Sequence, residues 1–216
     1  MDLHALARTI DHTNLRPDAG DDDIRRLAQE AVHHCFRTAC TDSRHIPLLT
    51  KLLAGTEVSI CSVAGFPLGS AHASVKALEA ERAVSLGADE VDMVLFVGDI
   101  LAGEHARAER EIRLVRDAVP GVVLKVIIEC GLLSDALKQT AARIVVAAGA
   151  DFVKTSTGFG HGGATVADVA LLRAAVGPDF GVKASGGIRN REQAVALIEA
   201  GADRLGTSAG IAIVTS

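Results

Sequence analysis

Short runs rich in apolar and β-branched residues alternate along this chain with longer stretches whose apolar positions recur every three or four residues. The short runs fall at roughly 9–13 (TIDHT), 36–41 (FRTACT), 57–63 (EVSICSV), 90–96 (EVDMVLF), 122–129 (VVLKVIIE), 151–156 (DFVKTS), 181–185 (GVKAS) and 203–207 (DRLGT). Runs of that length and composition predict strands, and the helical period between nearly all of them predicts crossover helices, with a short extra helix at 2–8. Strands joined through helices pair in parallel. Eight such units, at about 27 residues each, predict a (β/α)8 TIM barrel near the lower size limit of that fold. An open doubly wound sheet usually carries Gly-x-Gly-x-x-Gly after its first strand, and TIDHTNLRPD offers nothing similar. No linker or composition shift divides the chain, so one catalytic domain is expected over residues 1–216.

A short repeat supports this organisation. Gly-Ala-Asp occurs at 87–89, 149–151 and 201–203, each time between a helical pattern and a β-rich stretch. Glycine just past a helix is the common left-handed stop, and the strand follows at once. Thr165 with Asp168, Asn190 with Gln193, and Ser134 mark helix starts. The fifth residue after each repeat glycine falls at an equivalent height: Asp92, Lys154 and Gly206, on strands four, six and eight. Alternate strands fill a barrel in layers. Asp92 and Lys154 are therefore expected to share an inward layer, Gly206 to leave space beside them, and Lys183 to lie on strand seven, one layer away.

Composition then narrows the chemistry. A net charge of −5 and a pI near 5.9 give no basic surface for nucleic acid or an anionic membrane. No apolar run reaches membrane length, and MDLHALARTI lacks a leader pattern, so a cytoplasmic protein is expected. Cys35, Cys40, Cys61 and Cys130 have no Cys-x-x-Cys spacing and are expected to be reduced, with Cys40 a buried spectator. The basic residues are 16 arginines and only 6 lysines, yet Lys125, Lys154 and Lys183 interrupt apolar strand runs. Burying an unpaired ammonium is costly, so lysines in such places invite a chemical explanation.

Schiff-base catalysis supplies one. With a pKa near 10.4, only about one lysine in 2,500 is a free amine at pH 7. A second ammonium roughly 6 Å away, at an effective dielectric near 20, contributes about 2.8 kcal/mol, or about two pKa units, toward the free amine. Lys154 is expected to be the nucleophile, because Thr155, Ser156 and Thr157 follow it with hydroxyls able to orient a carbinolamine. Lys183 would perturb it, and Asp92 would shuttle protons with help from Lys125. Asp11 and Thr13, at the end of strand one, would support the site by hydrogen bonding. Asp11-His12-Thr13 also resembles the start of a metal site, but the other strand ends offer no second histidine, so neither metal nor cofactor is expected. His161, in GFGHGG, is expected to face solvent.

A separate pattern points to phosphate. Gly186-Gly187-Ile188-Arg189 follows strand seven and Gly206-Thr207-Ser208 closes strand eight, where barrels of this kind cradle phosphate on backbone N–H groups. Gly186, Gly187, Gly206 and Ser208, with Gly158 at the rim, are the expected phosphate-binding residues.

Together IDHTNLRPDA, CSVAGFPLG, GADEVDMV, LKVIIE, GADFVKTSTGF, GGATVADV and GVKASGGIR resemble the deoxyribose-phosphate aldolase family from about residue 9 to 211. The resemblance implies a metal-free class I aldolase that reversibly cleaves 2-deoxy-D-ribose 5-phosphate to glyceraldehyde 3-phosphate and acetaldehyde. It implies Lys154 as the Schiff-base lysine, Asp92 and Lys183 as the proton relay, and a homodimer or higher homo-oligomer. The chain departs from relatives at Asp42, where Cys-Val-Asn is frequent, and at Phe96, where many have Asn in DMVINIG. It also contains no tyrosine, whereas some relatives carry one in a C-terminal tail. A transaldolase-like Schiff-base barrel and a non-catalytic phosphosugar sensor are the alternatives.

Overall fold

Eight parallel strands form a closed barrel in the order β1-β2-β3-β4-β5-β6-β7-β8 in the computed structural model, which describes residues 2–160 and 162–215. They are β1 Ile10–Thr13, β2 Thr38–Cys40, β3 Ser59–Ala64, β4 Glu90–Val94, β5 Val123–Ile127, β6 Phe152–Lys154, β7 Gly181–Ser185 and β8 Arg204–Thr207. Seven lie within the expected runs and β3 extends one residue past its own, to Ala64; β1 closes on β8 with Asp11 opposite Gly206. The α-helices in chain order are α1 Leu3–Ala7, α2 Asp21–His33, α3 Ile46–Leu52, α4 Ala73–Ser85, α5 Val97–Leu101, α6 His105–Ala118, α7 Asp135–Ala147, α8 Val166–Val176, α9 Arg191–Glu199 and α10 Gly210–Thr215. The expected extra helix is α1. His161 lies outside the described residues. Among the described residues, no helix is long and apolar enough to cross a membrane.

The expected helix starts form as hydrogen-bonded caps. Thr165 Oγ1 accepts from Asp168 N at 3.0 Å, Asn190 Oδ1 from Gln193 N at 2.9 Å, and Ser134 Oγ from Leu137 N at 3.4 Å. The Gly-Ala-Asp repeat does more than end helices. Its glycines take φ values of 117°, 80° and 113°, a left-handed turn that resists any side chain. Each aspartate then clamps the preceding strand twice. Its N–H donates to the carbonyl of Ile60, Leu124 or Val182, and its carboxylate accepts from the N–H of that same residue at 2.8 Å. The repeat thus pins β4 to β3, β6 to β5 and β8 to β7 by one device.

Period-two alternation then divides the strand residues between two environments. Val91, Met93, Leu124, Val126, Val153, Val182, Ala184 and Leu205 are buried in the continuous apolar core with the helices. The opposite positions face into the barrel. Val, Ile and Leu usually fill that interior, but here it holds Asp11, Glu90, Asp92, Lys125, Lys154, Lys183 and Arg204, all buried. A small separate apolar cluster of Cys40, Cys61 and Val63 completes the β2–β3 side.

Candidate active site

Asp92 is the hub of this interior. Its Oδ2 accepts from Lys154 Nζ at 2.7 Å and from Lys183 Nζ at 2.6 Å, while Oδ1 accepts from Lys125 Nζ at 2.9 Å. Asp92 and Lys154 meet as the repeat predicts. Lys183 was expected one layer away. It is the ladder partner of Lys154, and its four-carbon stem brings its ammonium to the same carboxylate oxygen. Gly206 leaves the expected space, since a Cβ there would stand 3.1 Å from Lys183 Cε.

A second tier lies beneath. Arg204 donates to both Glu90 oxygens at 2.6 and 2.7 Å and stands 5.9 Å from the Phe152 ring centroid. Lys125 bridges the tiers, pairing with Glu90 at 2.5 Å as well as with Asp92. Asp11 pairs with Lys183 at 2.5 Å and with Arg204 at 3.0 Å. Glu90 and Arg204 are additions to the residues expected from sequence. Both stand three residues after a repeat glycine, as does Phe152, so the alternation that gave Asp92 and Lys154 also carries this tier.

The electrostatics follow from the count. Lys125, Lys154, Lys183 and Arg204 face Asp11, Glu90 and Asp92, so the fully ionised cluster holds one uncompensated positive charge. Burial alone would favour a neutral Asp92, but Lys125, Lys154 and Lys183 outweigh it and hold the carboxyl well below its ordinary range. Asp11 is likewise lowered against burial, by Lys183, Arg204 and Lys125. Burial pulls Lys183 down, yet Asp11 and Asp92 prevail and hold it above the ordinary lysine value. Lys125 is raised well above that value, against burial, with Asp92 the chief cause. Two lysines are therefore fixed cations. Lys154 alone of the three lines the open cleft.

That cleft has a volume of about 590 Å³ and lies at the C-terminal ends of the strands. Gly158, Gly186, Gly187, Gly206 and Ser208 all line it, together with Lys154, Thr13 and Arg189. Every expected phosphate residue thus shares one cavity with the expected nucleophile. Gly186 has φ +89°, and a Cβ on it would stand 3.1 Å from Gly163 Cα and 3.3 Å from Gly158 Cα. The loop after β6 folds directly onto the Gly186-Gly187 turn, which only glycine permits.

Supporting residues divide between the cleft and the wall. Thr13 lines the cleft and donates to Asp11 O at 2.8 Å. Thr155 does not orient anything in the cleft. Its Oγ1 donates to Ser185 O at 3.2 Å and accepts from Ser185 N at 3.1 Å, stitching β6 to β7, because strand alternation turns it away from Lys154. Thr157 donates to Glu129 Oε2 at 2.6 Å and is held at the cleft wall. Neither Asp42 nor Phe96 lines the cleft, so the two sequence departures lie outside it. Cys40 is buried, as expected. Cys40, Cys61 and Asp92 place ligand-type atoms within 4.8 Å of one another. A cation there would adjoin the ammoniums of Lys125, Lys154 and Lys183, so this donor set does not suit a metal.

A parallel (β/α)8 barrel whose buried lysine–carboxylate cluster opens into a glycine-lined cleft at the C-terminal strand ends has the architecture of a barrel enzyme. Comparison with known proteins gives the family. Residues 5–216 match the model of the DeoC/LacD family aldolases, and the chain belongs to that family. It is 51% identical over 210 residues to deoxyribose-phosphate aldolase 1 of Bacillus licheniformis, covering 97% of this chain and 94% of that protein. It is 50% identical to the deoxyribose-phosphate aldolase of Brevibacillus brevis, covering 97% and 95%. The solved tetrameric deoxyribose phosphate aldolase of Aeropyrum pernix superposes with a TM-score of 0.90 at 37% identity, over 99% of this chain and 91% of that one.

Proposed function

We propose that this chain is a class I aldolase, reversibly cleaving 2-deoxy-D-ribose 5-phosphate to D-glyceraldehyde 3-phosphate and acetaldehyde through an imine on Lys154. The observation that carries this reading is the placement of Lys154. It is the one lysine of the Asp92 cluster that reaches the cleft, and it shares that cleft with Gly158, Gly186, Gly187, Gly206 and Ser208. Imine formation needs the unprotonated amine. Loss of one proton removes the uncompensated charge of the cluster, and Lys154 is the member placed to use the resulting amine.

The chemistry then runs as follows. Lys154 Nζ adds to C1 of the open-chain sugar, and the carbinolamine loses water to give an iminium. A base takes the C3 hydroxyl proton, the C2–C3 bond breaks, and its electrons move into a C1–C2 enamine. Protonation at C2 and hydrolysis release acetaldehyde and the free lysine. Asp92 and Lys183, each within hydrogen-bond reach of Lys154 or its partner oxygen, relay the protons. Lys125 and Asp11 fix the charges around them, and Thr13 and Thr155 hold the strand ends. Gly158, Gly186, Gly187, Gly206 and Ser208 take the phosphate. The domain is the single barrel, and homo-oligomeric assembly accords with the Aeropyrum pernix tetramer. Because Asp42 and Phe96 lie outside the cleft, they give no support to a binding-only sensor.

Reduction with borohydride in the presence of acetaldehyde tests the proposal: an N-ethyl group should appear on the peptide carrying Lys154, and its absence there sinks the reading. Two variants test the supporting parts. Alanine at Gly186 must adopt a left-handed backbone and press on Gly163 and Gly158. Strain of about 1–2 kcal/mol should raise KM for the phosphorylated sugar about tenfold. Unphosphorylated deoxyribose should be cleaved at nearly its former efficiency. Lys183→Leu removes one of the two ammoniums on Asp92 Oδ2, so turnover should fall by about 10²–10⁴ while Lys154 still traps acetaldehyde. Wild-type turnover would remove Lys183 from the relay.

A further inference from the structure

The Asp92 carboxylate has four donors, and three are the ammoniums of Lys125, Lys154 and Lys183. The fourth is uncharged. Cys61 Sγ on β3 lies 3.3 Å from Asp92 Oδ1, with Ser62 O, at 3.6 Å, a more distant acceptor for the same thiol hydrogen. Lys125 Nζ approaches the sulfur at 3.6 Å, and Cys40 is its ladder partner on β2.

Direction matters here. The ammoniums reach Asp92 from β5, β6 and β7, all on one side of β4. Cys61 comes from β3, on the other. Lys125 on Oδ1 and Lys183 on Oδ2 hold the carboxylate from the β5–β7 side alone, and the pull from that side changes as Lys154 leaves ammonium form for amine and then imine. A neutral donor on the far side keeps the plane fixed and leaves the charge balance untouched.

We propose that Cys61 is a positioning residue for the aldol chemistry: its thiol hydrogen bond to Oδ1 fixes the rotation of the Asp92 carboxylate, so that Oδ2 stays aimed at Lys154 and Lys183. Burial keeps this thiol protonated, with its pKa well above the ordinary value, as a donor must be. Sequence alternation places Cys61 inward with Val63, but only the register of β3 on β4 brings it to Asp92. The assignment rests on the aldolase reading of Lys154 and Asp92.

The test compares Cys61→Val, close in volume but without a donor, with Cys61→Ser, which restores one. Thiols are weak donors, so the loss should be moderate. In the valine variant kcat should fall about tenfold, equivalent to about 1.4 kcal/mol, with KM for deoxyribose 5-phosphate nearly unchanged. Exchange of the acetaldehyde methyl protons with deuterium oxide should fall by the same factor, since it needs only the iminium–enamine step. Serine should recover most of both rates. Cys61→Ala, compared by thermal melting, separates packing loss from donor loss and replaces valine if that variant fails to fold. A donorless variant with the wild-type kcat and exchange rate, or a serine variant as slow as the donorless one, overturns the assignment. Absence of a Lys154 adduct in the wild-type protein overturns the aldolase reading instead, so the two failures are distinguishable.

Discussion

Arginine at position 154 should give a folded barrel that traps no acetaldehyde under borohydride and whose kcat/KM is lower by about four orders of magnitude or more. The substitution keeps the positive charge that Asp92 Oδ2 holds at 2.7 Å, so the buried cluster retains its balance. It removes the only chemistry at issue, because a guanidinium stays protonated and cannot condense with an aldehyde as an amine does. Removing a covalent nucleophile commonly costs about 10⁴- to 10⁶-fold, the residue of activity coming from binding and the remaining polar groups. Room for the larger head exists, since the side chain ends at a cleft of about 590 Å³. Activity and adduct should therefore vanish while the thermal midpoint moves by a few degrees. If the adduct instead appears on Lys183, the nucleophile is the wrong lysine of the pair. Lys183 is fully buried and outside the cleft lining, which is the structural reason to expect otherwise.

The barrel was legible because its sequence repeats. Gly-Ala-Asp marks the same helix-to-strand corner three times, and the shared offset from glycine puts Asp92 and Lys154 in one layer. The same offset arithmetic holds Glu90, Phe152 and Arg204 one step earlier, and the tier they form follows from alternation alone. Thr155 shows the opposite case. Its hydroxyl follows Lys154 in sequence, but a period of two sends neighbouring side chains to opposite faces, and it binds Ser185 instead. What no local pattern carried was reach. Lys183 enters the site through the length of its stem, and Cys61 through the pairing of β3 with β4. The glycines of the cleft were legible after strands seven and eight, whereas the folding of the β6 loop onto Gly186 depends on long-range packing that no local pattern carries.

Asparagine at Asp92 should cost both catalysis and the fold. The change keeps shape but replaces one carboxylate oxygen by an NH2 group, so a donor then faces donors already supplied by Lys125, Lys154, Lys183 and Cys61. It also leaves four cations against Asp11 and Glu90, doubling the uncompensated charge of a buried cluster. Removing one partner of a buried ionic network costs about 3–5 kcal/mol, which urea unfolding at neutral pH should register directly. The pH dependence has a definite sign. Despite burial, the Asp92 carboxyl is held well below its unfolded value by the three lysines. Its contribution is then fully present above an unfolded pKa of about 3.9, and is withdrawn as pH falls through the lower folded value. The gap between wild type and variant should stay constant around neutrality and narrow only below about pH 4. Turnover should fall by about 10²–10⁴, the span usual for losing a positioned acid–base group, even in variant protein shown to be folded. A variant with wild-type stability at pH 7 would mean that the three ammoniums find other partners. Wild-type turnover would mean that the proton relay does not pass through this carboxylate.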